Sequence, residues 1–151
     1  MKPVIFLLFV ITVIACNQEE KPIRKDGFSE VPKTKEDSLY KEVMEGHDIG
    51  MARIRRVEKA ILKTQQQLDS LNKLSKNKID PNHQQALIDL LEELNYANNA
   101  MNKWMNEFKF DSAKGNLELR IPYLESEKDK VNKVKEAILN GLKRADSLLK
   151  N

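Results

Sequence analysis

Histidine and thioether sulfur are the side chains here whose spacing invites chemistry. Met44, His47 and Met51 fall within about 60 degrees of one another at 100 degrees per residue of helix, and Met105 lies on a later helix that can fold back against them. Soft thioethers with an imidazole suit Cu(I), and a methionine with a histidine is also an axial pair for haem. A copper or haem site would therefore use His47, Met51 and Met105, with Met44 beside them. The same residues have a plainer reading, which is preferred. Methionine is an adaptable core filler that packs well on rings such as Trp104 and Phe108, and a seam histidine more often hydrogen-bonds a neighbouring glutamate or tyrosine. No CxxCH haem attachment, HExxH or paired Glu-x-x-His occurs, and His83 falls at the far end. No metal or haem cofactor is expected.

Catalytic patterns are equally absent from the sequence. A Ser-His-Asp arrangement needs a nucleophile on a strained turn and a phosphate cradle needs a glycine-rich loop, and neither is found. Glu92-Glu93 and the run Glu125-Ser126-Glu127-Lys128-Asp129-Lys130 read as solvated helix surface. Within that run Glu127 and Lys130 form an i, i+3 pair of about a few tenths of a kcal/mol. No catalytic residue is assigned, and an enzyme is not expected. Without Lys2 there are 25 basic against 23 acidic side chains, a balance of +2. A charge so close to neutral points away from nucleic acid or another polyanion as partner.

The single cysteine, Cys16, follows Lys2 and an apolar run ending at Ala15. That run, about 13 residues, is well short of the roughly 20 a spanning helix needs. Having no second thiol, Cys16 has no intrachain disulfide partner. Val13-Ile14-Ala15-Cys16 resembles the lipobox read by lipoprotein signal peptidase. The resemblance implies that residues 1–15 are a signal peptide cut off before Cys16, that the Cys16 sulfur is diacylated, and that the freed amino group is acylated as well. Each buried CH2 of those chains would contribute about 0.8 kcal/mol to anchorage. Asn17-Gln18-Glu19-Glu20 looks like the acidic signal that sends Bacteroidota-type lipoproteins to the outer face of the outer membrane. The expected location is thus the cell envelope, lipid-anchored to the outer membrane, with the periplasmic and surface faces both open. Residues 16–34 scatter Pro22, Gly27 and Pro32 among charges without apolar periodicity and read as a disordered tether with a coil reach on the order of 25 Å.

Residues 35–151 suffice for one helical domain. Helix one is predicted over about 35–76, from the ladder Tyr40, His47, Ile54, Ile61 and Leu68 flanked by Val43, Val57 and Leu71. Thr34 with Asp37 supplies its N-terminal cap. Gly46-x-x-x-Gly50 interrupts it, and since each glycine costs about 1 kcal/mol relative to alanine, a kink or a close neighbour is expected there. Helix two is predicted over 81–108 behind the Asp80-Pro81 start, with Leu87, Leu94, Met101 and Phe108 on one ladder and Leu90, Ala97 and Trp104 on the other. Helix three is predicted from Pro122 to about residue 150, carrying Leu124, Val131, Ile138 and Ala145. The alternating Leu117-Glu118-Leu119-Arg120-Ile121 before it reads as an extended segment.

Three amphipathic helices bury their stripes most simply as an all-α, antiparallel three-helix bundle with one longer N-terminal helix. With the first turn centred near residues 77–80, positions whose numbers sum to roughly 157 should lie opposite, bringing Met51 near Met105 and Arg53 near Trp104. The surplus length of helix one would expose Tyr40, Val43 and Met44 unless the long connection from Lys109 to Ile121 or a homo-oligomer covers them.

His47-Asp48 with Met51, the stretch from Trp104 to Lys109, and Tyr123-Leu124-Glu125 leading into Val131-Asn132-Lys133-Val134-Lys135 resemble a family of small helical Bacteroidota lipoproteins, some labelled viral A-type inclusion protein-like. The likeness covers most of residues 36–150 and implies no established activity. The expectation is a noncatalytic, membrane-anchored module whose partners are membrane lipid, through its acyl chains, and an envelope protein or glycan. The alternative is a copper or haem carrier.

Overall fold

Thr34 begins the first helix by satisfying backbone groups the helix itself leaves free. Its Oγ1 accepts the Asp37 N–H at 3.0 Å while the Asp37 carboxylate accepts the Thr34 N–H at 3.1 Å, a reciprocal capping box. Helix α1 then runs Lys35–Leu71, α2 Pro81–Glu107 and α3 Leu117–Leu148, with a short 3-10 turn at Lys76–Lys78. The computed structural model describes residues 32–149, the side chain of Lys76 excepted; the expected signal peptide, Cys16 and the expected tether up to Val31 lie outside the described residues.

Helix α1 stops short of the predicted residue 76. Beyond Leu71 the next apolar side chain, Leu74, is exposed, so continuing the helix would bury nothing. Helix α2 begins as expected, with Asp80 Oδ1 accepting the Asn82 N–H at 2.9 Å and Pro81 at its first position. Leu87, Leu90, Leu94, Ala97, Met101 and Trp104 are all buried, so both predicted ladders face the core.

Helix α3 departs most from expectation. It starts at Leu117, with Asn116 as its cap, and Pro122 lies inside it. The segment read as extended is therefore the first helical turn and a half. Its alternation inverts the true burial: Leu117 and Leu119 are about three-fifths exposed, whereas Arg120 is only 4% exposed. Tertiary contacts of Arg120 override the local period-two pattern.

The helices pack pairwise as a three-helix bundle. Lys35 pairs with Glu125, Glu42 with Lys128 and Arg56 with Asp146, so α1 and α3 run parallel in direct contact, while α2 packs antiparallel against both. Because α3 starts early, it accompanies α1 from its first turn. Val43 is fully buried and Tyr40 and Met44 half-buried, so the overhang that argued for an oligomer is covered within the chain. Gly46 and Gly50 mark close approach. A Cβ on Gly46 would stand 2.9 Å from Val131 Cγ1, and one on Gly50 would overlap the Met101 methyl.

Candidate functional site

The predicted methionine and histidine residues occupy the end of the bundle where α1 starts and α2 finishes. His47 is half-buried, its Nδ1 2.9 Å from Asp48 Oδ1 and its ring 5.7 Å from that of Trp104. Met44 is half-buried, while Met51 and Met105 stand outward at 36% and 40% exposure. The fully buried methionine is Met101, whose methyl fills the space that Gly50 leaves.

It is His47, not Arg53, that meets Trp104. Helix α1 ends at Leu71, so the connection to α2 is centred near residue 76 rather than beyond 78, and facing positions sum to about 152 instead of 157. Arg53 turns back to donate to the Ile49 carbonyl at 2.8 Å. Among the described residues, no three His, Cys, Asp or Glu side chains form a group able to hold a metal.

What the sequence concealed at this end is a buried polar lock. Trp104 Nε1 donates to Glu127 Oε2 at 2.9 Å, and Lys130 Nζ donates to the other oxygen at 2.7 Å. Glu127 is 5% exposed, so it is not the solvated surface charge that its position in a charge run suggested. The hydrogen bond to Glu127 raises the Lys130 pKa above the ordinary lysine value. Trp104 stacks on Phe108 at 4.9 Å and Phe108 on Tyr123 at 6.2 Å. The Tyr123 hydroxyl accepts the Lys109 N–H at 2.7 Å. Arg120, lying 5.9 Å over the Tyr123 ring, donates to Glu36 Oε1 and to the carbonyls of Ser112 and Phe110. One buried guanidinium thereby fastens the α2–α3 connection to the start of α1. Nearby, a hydrogen bond and the charge of Lys35 hold the Glu125 carboxyl below its usual pKa. These groups satisfy one another, and their arrangement is that of a structural clasp.

A different chemistry lies towards the other end, between the parallel helices α1 and α3. Two adjoining depressions share Arg56, Leu142 and Asp146 and form one open groove, the larger part about 590 Å³. Its floor is Ala60, Leu142, Ala145 and Leu149, where small alanines let the surface dip. Its rim carries Arg53, Arg56, Lys59, Lys63 and Lys143 against the single acid Asp146. Asp146 pairs with Arg56 at 3.0 Å, and Lys63 Nζ donates to the Leu149 carbonyl at 2.6 Å, satisfying the end of α3. Arg53, Lys59 and Lys143 have no carboxylate partner among the described residues. Sequence reading missed this face because the near-neutral overall charge hides the α1 row Arg53, Arg56, Lys59 and Lys63, and only the fold lays Lys143 and the apolar residues of α3 beside it.

Comparison with protein-family models, with curated proteins and with solved structures finds no match to the chain. Among the described residues, no helix is long and apolar enough to cross a membrane.

Proposed function

We propose that the protein is a noncatalytic binding module of the bacterial cell envelope, tethered to the membrane through lipid on Cys16. The observation that carries this reading is the polarity of the bundle. Pro32, through which the chain from Cys16 enters, adjoins the start of α1, whereas the basic groove occupies the far half of α1 and α3. Helix α1, at 37 residues, spans about 55 Å at 1.5 Å per residue. The groove thus belongs to the half of the bundle remote from Pro32, which suits a surface presented to a partner. The lipobox-like Val13-Ile14-Ala15-Cys16 and the acidic Glu19-Glu20 support outer-membrane placement.

Intact mass of the protein extracted from bacterial membranes tests the anchor. The expected species lacks residues 1–15 and carries the added mass of acyl chains, and Cys16→Ser retains its leader. An unacylated protein of full length removes this reading.

The copper or haem carrier remains the second class of function, resting on His47, Met44, Met51 and Met105. Copper calorimetry and haem titration followed in the Soret region, each on wild type and His47→Ala, separate the two. Identical titrations remove the carrier, whereas a stoichiometric site lost in the variant would replace the binding module.

A further inference from the structure

From the α1–α3 groove we infer that the ligand is an acidic amphipathic helix of a partner protein, docking as a fourth helix. This rests on the reading of the bundle as an anchored binder and names what it binds. The cations do not gather at one point. Arg53, Arg56, Lys59 and Lys63 recur every three or four residues along the same side of α1, a row of about 15 Å at 1.5 Å per residue. Beside that row runs a narrow apolar strip made by half-buried Ala60, the outer edges of the core residues Leu142, Ala145 and Leu149, which are only 3–6% exposed, and the methylene stems of the cations themselves. A ligand matching both must carry an apolar stripe and, along one flank, carboxylates at helical spacing.

A small anionic amphiphile would satisfy the cations at one end and leave the rest unmatched. A bare polyanion would use the row and ignore the apolar strip. A second copy of this chain would bring the same five cations and one acid to face their equals, and like charges opposed across an interface are costly. The groove between α2 and α3 makes an instructive contrast. It is lined by Lys103, Glu107 and Lys130, but Lys103 pairs with Glu107 and Lys130 with Glu127, so it has little uncompensated charge to steer a partner.

The test uses the full chain, purified from membranes into phosphatidylcholine nanodiscs, with empty discs as the blank. The probe is a labelled helical peptide of about three heptads, with leucines at a and d and glutamates on one flank. A lysine-for-glutamate version and a proline-broken isomer of the same composition serve as controls. Fluorescence anisotropy should show the acidic helix binding about tenfold or more tighter than either control, with affinity falling as salt screens the row. Lys59→Glu combined with Arg53→Glu alters exposed or half-exposed rim side chains and should reverse the preference towards the lysine peptide. Ala60→Gln, which fills the dip without changing charge, should weaken the acidic helix about as strongly. Circular dichroism checks that each variant remains folded.

Equal binding of the helical and proline-broken acidic peptides, or of polyphosphate with no sensitivity to Ala60→Gln, overturns the inference in favour of a simple anion patch. Indifference to Lys59→Glu/Arg53→Glu overturns it as well. Peptide selectivity does not depend on acylation, so failure here is distinguishable from failure of the anchor, which intact mass reports separately.

Discussion

Glu127 shows how one side chain can be misread when its neighbours in sequence are all polar or charged. It sits among five polar residues in a stretch that looks like solvated surface, yet the Trp104 indole reaches it from α2 and burial follows. Removing the acceptor with Glu127→Leu strands the indole N–H, a loss of about 1–3 kcal/mol. Glu127→Gln keeps an oxygen for Trp104 and should cost less than half of that. The pH dependence distinguishes the two partners of Glu127. The Lys130 pKa is raised by its hydrogen bond to Glu127, so this contribution is fully present below the ordinary lysine value and is lost as pH rises through the higher folded value. The stability gap between wild type and Glu127→Gln should therefore narrow in strongly alkaline urea titrations, while the gap to Glu127→Leu persists. A gap independent of pH would show that Lys130 contributes nothing through Glu127.

At the scale of the helices, α2 was legible in the sequence and the start of α3 was not, for one physical reason. Helix α2 carries a single unambiguous N-terminal signal, Asp80-Pro81, followed by apolar residues that each find the core. Before α3 two start signals compete, Asn116 and Pro122, and proline is the more conspicuous. The winner is Asn116, whose side chain accepts the Leu119 N–H at 3.3 Å and whose carbonyl accepts the Arg120 N–H at 2.8 Å. Arg120 then fixes the turn through Glu36 and the Ser112 and Phe110 carbonyls, contacts that no local pattern announces. Pro122 consequently sits where an N–H would have bonded the Glu118 carbonyl. Pro122→Ala should raise stability by about 1 kcal/mol by restoring that bond in an already helical turn, and Asn116→Ala should lower it by about 1 kcal/mol by removing the cap. Thermal melts followed at 222 nm measure both. Destabilisation by Pro122→Ala would mean that the proline helps set the entry of α3, as a first-position proline would.

For the molecule as a whole, the fold class was readable from composition and period, because few glycines and prolines with three long amphipathic stripes leave little but a bundle. The charged face was not readable, since a balance near neutrality is compatible with an even distribution or with a basic groove set against acidic surface elsewhere. Topology decides between them by laying α1 beside α3 in parallel. The same parallel contact determines how the bundle comes apart. Helices α1 and α3 meet from the Lys35–Glu125 pair at one end to the Lys63–Leu149 bond at the other, and one core cluster runs from Leu39 to Leu149. No helix can leave without opening that shared core, so unfolding should be a single cooperative step. Trp104 and its contacts with Phe108 and Glu127 report on the end nearest Pro32, whereas helical circular dichroism reports on the entire length. In urea the two signals should share one midpoint. A tryptophan transition preceding loss of helix would show that the Arg120 clasp opens alone, and the end nearest the proposed anchor would then be a separately yielding unit.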